Sequence, residues 1–140
     1  MPLILHSLRN AVTALRAVQA KSEDIPFMAA QDEITREVIR SGVIQHFEFT
    51  YELCWKFMRR RLEADIGRSS VDGLNRRDLF RIAAENRLIE DVENWFGYHQ
   101  ARNETSHTYD LAVAARVYAT SLNFARDAAL LLAELEARNA

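Results

Sequence analysis

Hydrophobic residues recur at intervals of three and four along almost the whole chain, the mark of helices with one buried face. Leu5, Leu8, Val12, Leu15 and Val18 form the first such stripe and predict a helix from Leu3 to about Lys21. The segment Ser22-Glu23-Asp24-Ile25-Pro26 ends it, since proline disfavours helix in the residue before it. A second helix is expected to begin between Met28 and Asp32 and to run to about Asp65. Its stripe is Ile34, Val38, Ile44, Phe47, Tyr51, Cys54, Met58 and Leu62, widened by Phe49 and Trp55. At roughly 35 residues it would span about 50 Å, and Ser41-Gly42 is where a kink or short break is expected. Gly67 stops it, and Ser69-Ser70-Val71-Asp72-Gly73 has the residues of a turn.

Asn75 or Arg76 opens a short third helix through Leu79, Phe80, Ile82 and Ala83, ending between Asn86 and Ile89. A fourth follows from Asp91 to about Thr105 on Val92, Trp95, Phe96 and Tyr98. The last runs from Asp110 to about Arg138 on Leu111, Ala114, Val117, Tyr118, Leu122, Ala125, Ala129 and Leu132. No segment alternates as a strand would. These stretches predict a single all-α domain over residues 1–140, an antiparallel up-and-down four-helix bundle whose third and fourth helices form one broken arm.

Composition narrows the class of function. Charged residues make up 27% and the formal net charge is −2, so the surface as a whole would not gather nucleic acid; any such contact needs a local patch. The dense basic region is Lys56, Arg59, Arg60 and Arg61 with Arg68, Arg76, Arg77 and Arg81 following. Lys56, Arg59 and Arg60 fall on one side of a helix and are candidates for a phosphate or acidic-partner contact, against the usual reading of a solvated face. The single cysteine, Cys54, lies in an apolar stripe and reads as a buried thiol in a reducing compartment. His6, His46 and His99 lie far apart with no metal-ligand spacing, and no cofactor motif is present, so neither metal nor cofactor is expected. The N-terminus lacks the pattern of a signal peptide and no run approaches the length of a membrane span, which makes a cytoplasmic location the expectation.

One stretch does not read as scaffold. Ala101-Arg102-Asn103-Glu104-Thr105-Ser106-His107-Thr108-Tyr109-Asp110 crowds a guanidinium, an amide, hydroxyls, an imidazole, a phenol and carboxylates between two apolar segments. That inventory can bind a phosphate and move a proton. On an unbroken helix Arg102 and His107 would sit roughly 140° apart. For them to meet, the helix must end inside Glu104-Thr105-Ser106, or the stretch must face a second copy of itself. Thr105 and Ser106 are mediocre helix formers and Asp110 is a good N-cap, so a junction is predicted at about Ser106 to Asp110. From spacing alone, a surface arginine and a histidine that caps or packs at a helix end is the favoured reading of the pair.

Arg102-Asn103-x-x-x-His107-x-Tyr109 resembles the Arg-x4-His-x-Tyr signature of HEPN domains, in the form carried by nucleotidyltransferase substrate-binding and HepT-like proteins. The stretch from Gly42 to Lys56 resembles that family's second-helix signature, although His46 stands where an arginine or lysine is usual. The likeness covers roughly residues 3 to 137. It implies a metal-independent endoribonuclease, the toxin of a toxin–antitoxin pair, acting as a homodimer beside a separate minimal nucleotidyltransferase. Arg102 and His107 would then be catalytic, the guanidinium holding the phosphate and the imidazole taking the 2′-hydroxyl proton. Asn103 and Ser106 would support the imidazole or phosphate, unless they only cap a helix. Tyr109 would be the residue the partner adenylylates, unless it packs under the junction. Glu48 and Glu52, i and i+4, would salt-bridge across a subunit interface or face water. The alternative function is a non-catalytic substrate-binding subunit of a two-component nucleotidyltransferase.

Overall fold

The structure, a computed structural model, describes residues 2–139. It is all-helical among those residues: α1 (His6–Glu23), α2 (Ile25–Ala29), α3 (Glu33–Ile66), α4 (Arg76–Glu85), α5 (Val92–Glu104) and α6 (Leu111–Arg138), with single 3₁₀ turns after α3 and after α5. Helix α1 packs on α3 and α6, α3 on α6, α4 on α5, and α5 on α6. None of the helices is long and apolar enough to cross a membrane.

Helix boundaries follow local chemistry closely. The carboxylate of Asp32 accepts from the Thr35 amide at 2.7 Å, Asn75 from Asp78 at 2.8 Å, Asp91 from Glu93 at 3.0 Å and Asp110 from Ala112 at 2.9 Å. Each satisfies one of the amides a helix start leaves unpaired. Gly67 closes α3 at φ +94°, a conformation that favours glycine. Asp110→Ala is therefore expected to cost about 1 kcal/mol, a fall of a few degrees in thermal midpoint. A melt unchanged within a degree would show that the cap does not hold α6.

Several expectations need correction. The first helix starts at His6 rather than Leu3, and the loop after it holds a further short helix, α2, because Asp24 caps it with its side chain on the Phe27 amide and Pro26 sits where its missing N–H is harmless. Ser41-Gly42 neither breaks nor interrupts α3; one glycine costs about 1 kcal/mol, too little to break a long helix packed beyond it. Ile34 and Val38 are exposed rather than core, since α3 buries nothing before Val43, and Phe49 is exposed although Phe47 and Thr50 beside it are buried. The stripe on α6 is also rotated from the expected one. Its buried line is Val117, Ser121, Phe124, Ala125, Ala128, Leu131, Leu132 and Leu135, while Leu111 is exposed.

Phe124 is the hub of an aromatic core. Its ring lies 5.0 Å from Phe47, 5.1 Å from Tyr98, 5.8 Å from Trp95 and 6.3 Å from Tyr51. Phe80 adds to the cluster against Trp95 at 5.7 Å. Cys54 is fully buried, and burial pushes its thiol well above the ordinary range, so it is no nucleophile at neutral pH. This core positions the site by locking the middle of α3 against α5 and α6.

Candidate functional site

Helix α5 ends at Glu104, inside the predicted interval, and Thr105–His107 continue as a 3₁₀ turn before Asp110 opens α6. The hydroxyls at this junction bind backbone. Thr105 donates to the Arg102 carbonyl at 2.7 Å, Ser106 to the Asn103 carbonyl at 3.4 Å and Thr108 to the Thr105 carbonyl at 3.3 Å. An ion pair from Glu104 to Arg116, 3.0 Å, ties the end of α5 to α6.

Arg102 is half-buried and faces the middle of α3. One terminal nitrogen lies 3.2 Å from the Thr105 hydroxyl and 3.6 Å from Glu48, the other 3.8 Å from Glu52. Its Nε is buried with no hydrogen-bond partner. Glu48 and Glu52 thus meet an arginine of their own subunit rather than merely facing water. At these distances and this exposure each contact is weak, on the order of 1 kcal/mol or less.

His107 is exposed, and its ring makes no hydrogen bond among the described residues. Its neighbour is Tyr109, edge to face with centroids 6.0 Å apart. Tyr109 itself is 83% exposed, which corrects the alternative of a tyrosine packed beneath the junction. The Asn103 side chain is also exposed and free to reach a ligand, whereas the Ser106 hydroxyl is engaged by backbone. His46 is partly buried against Phe49.

A second polar group adjoins Arg102 and was not singled out in advance. Arg76 donates to the Tyr51 hydroxyl at 3.1 Å, and that hydroxyl lies 2.8 Å from Nδ1 of His99. The phenolic oxygen thus links the guanidinium to the imidazole. Burial, then the charges of Arg76, Arg77 and Arg102 working against Glu52, holds the His99 pKa below its ordinary 6.5. Burial also lifts the Tyr51 hydroxyl to about 12. Trp55 donates from its indole nitrogen to Glu52 at 2.6 Å, joining this group to the Arg102 pocket. The available signal was spacing: His99 precedes Arg102 by three residues and so shares its face of α5.

The depressed His99 pKa has a consequence for stability. Below pH 6.5 the unfolded chain takes up a proton that the folded chain resists, so stability falls as pH drops from about 6.5 toward the folded pKa. Urea midpoints at about pH 7.5 and 5.5 should show this loss in the wild type and a smaller one in His99→Gln. Equal losses in both would exclude His99 as the source.

The basic trio expected on one face has three different partners. Arg59 pairs with Asp72 at 3.8 Å, Lys56 lies over the Trp55 ring at 5.7 Å and Arg60 over Phe57 at 4.9 Å. No cluster of residues able to hold a metal occurs among the described residues.

The model of the family described as nucleotidyltransferase substrate binding protein like matches residues 3–137. The chain belongs to this family. It is 36% identical over 138 residues to the probable ribonuclease HepT of Haemophilus influenzae, covering 98% of this chain and 94% of that protein. Among solved structures, a Haemophilus influenzae protein described as having the fold of a substrate binding domain of a nucleotidyltransferase superposes with a TM-score of 0.90 at 34% identity, covering 95% of this chain and 99% of that one. A Thermus thermophilus crystal structure superposes with a TM-score of 0.64 at 25% identity, covering 92% and 98%. Membership of the family accords with the HEPN-type motif from Arg102 to Tyr109.

Proposed function

We propose that this chain is a metal-independent endoribonuclease, the toxin of a two-component pair whose antitoxin is a minimal nucleotidyltransferase, working in the cytoplasm as a homodimer of up-and-down four-helix subunits. The observation that carries this reading is the junction after α5. It holds Arg102 in loose, displaceable contact with two carboxylates and presents the His107 ring to solvent with both nitrogens unengaged. The similarity to a probable ribonuclease HepT supports it.

In this mechanism Arg102 binds the scissile phosphate and stabilises charge on its oxygens. His107 accepts the 2′-hydroxyl proton as that oxygen attacks phosphorus. The bond from phosphorus to the 5′-oxygen breaks, and the leaving oxygen takes a proton from the second His107 of the dimer or from water. The products are a 2′,3′-cyclic phosphate and a 5′-hydroxyl. Asn103, whose side chain is exposed, is the residue we assign to orienting the phosphate. Tyr109, with its exposed hydroxyl, is accessible to a partner nucleotidyltransferase and is the residue we assign to adenylylation.

Support for a homodimer comes from a groove between the start of α3 and the start of α6. Leu111, Ala114, Ala115 and Tyr118 give it an apolar α6 side, Glu33, Glu37, Arg40 and Ser41 a polar α3 side, and the exposed Ile34 and Val38 adjoin it. Exposed apolar surface of this kind marks an interaction site. The likeness to a substrate binding domain of a nucleotidyltransferase supports the second reading, a non-catalytic subunit in which Arg102 and His107 hold a phosphate without cutting beside it.

The two readings separate when purified protein is incubated with total RNA in the presence of a chelator and the new termini are analysed. Cleavage leaving cyclic phosphate ends supports the enzyme. Intact RNA, together with tight binding to a nucleotidyltransferase, supports the subunit.

A further inference from the structure

Within the basic region, most arginines are neutralised locally. Arg61 meets Asp65 at 2.9 Å, Arg68 meets Glu63 at 3.5 Å and Arg81 meets Asp78 at 3.0 Å, as Arg59 meets Asp72. Lys56, Arg60, Arg76 and Arg77 meet no carboxylate within 4.0 Å among the described residues. Instead they are laid over aromatic rings. The Arg76 guanidinium stacks 3.8 Å from the Trp55 centroid, Lys56 approaches the same ring, and Arg77 sits 4.1 Å from Phe96. Stacking on a ring orients a guanidinium without cancelling its charge, so its N–H groups stay available for an anion. Arg76 and Arg77 also form the first turn of α4, whose positive end adds to the field.

This row is joined to Arg102 by a single carboxylate. One oxygen of Glu52 accepts from the Trp55 indole and the other faces Arg102. His99, one turn of α5 before Arg102, lies among the charges of Arg76, Arg77 and Arg102.

We propose that Lys56, Arg76 and Arg77, set on the rings of Trp55 and Phe96 beside the Arg102 pocket, form a second phosphate subsite that holds the backbone of a single RNA strand next to the phosphate bound at Arg102. A row drawn from α3, across α4, to α5 suits successive phosphates of a strand better than one compact anion. Contacts to phosphates alone carry no sequence information, as a strand-tracking groove requires. The inference rests on the reading of the Arg102 and His107 site as one that handles RNA.

The test uses the full chain and a fluorescent 2′-deoxy oligonucleotide, which cannot be cut by attack of a 2′-oxygen, titrated over a range of salt. Lys56→Ala combined with Arg77→Ala removes two exposed cations and leaves the Arg76–Tyr51–His99 contacts in place. The expected result is at least about a tenfold loss of affinity near 0.1 M salt and a salt slope smaller by about 1.4. Arg9→Ala, which removes an exposed cation of α1 paired with Glu136, should change affinity less than about twofold. An unchanged slope in the double variant, an equal loss in Arg9→Ala, or no binding by the wild type would overturn the subsite. Displacement by inorganic tripolyphosphate as readily as by unlabelled oligonucleotide would overturn its assignment to a strand. Binding with the expected slopes by a protein that cuts no RNA would instead refute the ribonuclease reading and leave the subsite standing.

Discussion

His107→Ala is expected to lower the rate of RNA cleavage by about 100- to 10,000-fold, the usual contribution of a positioned general base. The imidazole is exposed and makes no hydrogen bond among the described residues, so the substitution should leave the thermal midpoint almost unchanged. Few loss-of-function variants allow so clean a separation of chemistry from folding. Arg102→Gln is the companion experiment. It should reduce cleavage by about 100- to 1,000-fold by removing the charge that steadies the phosphate, and it leaves Glu48 and Glu52 facing each other without a cation. A His107→Ala protein that still cuts at a tenth or more of the wild-type rate would remove His107 from the reaction.

The largest effect on stability is expected at Phe124. Its ring touches Phe47, Tyr51, Trp95 and Tyr98, which come from α3 and α5. Phe124→Ala would open a cavity at the place where three helices converge. A loss of about 3–5 kcal/mol in the urea unfolding free energy follows, because a packed aromatic core relaxes only partly into the space. A loss under about 1.5 kcal/mol would mean that the surrounding rings can collapse into the gap, contrary to their mutual edge-to-face packing. Any variant of this core should also weaken the site, since the same rings seat α5.

The helices themselves were legible because each is written locally. Asp32, Asn75, Asp91 and Asp110 cap what they appear to cap, and Gly67 ends the helix it follows. Turn chemistry and capping depend on residues within a few positions, which a linear reading can see. Burial is different. Ile34 and Val38 continue the α3 stripe without interruption, yet they lie on a part of the helix that nothing in the subunit covers. Periodicity shows which positions share a face, not whether another helix lies opposite. The rotation of the α6 stripe has the same origin, since its many alanines and leucines support several faces and only the packing of Phe124 selects one.

For the candidate site the division is sharper. Taken alone, the chain determined the helix order, the junction between Ser106 and Asp110, and the concentration of proton-moving and phosphate-binding groups there, because those follow from neighbours along the backbone. Only the tertiary structure decided that Arg102 meets Glu48 and Glu52, that Arg76 reaches Tyr51 and through it His99, and that Trp55, packed at the edge of the core, carries the Arg76 guanidinium over its ring. Those partners are brought together by the packing of α3 and α4 against α5. Such contacts arise from where whole helices are held by the core, so no short stretch of sequence carries the information that specifies them.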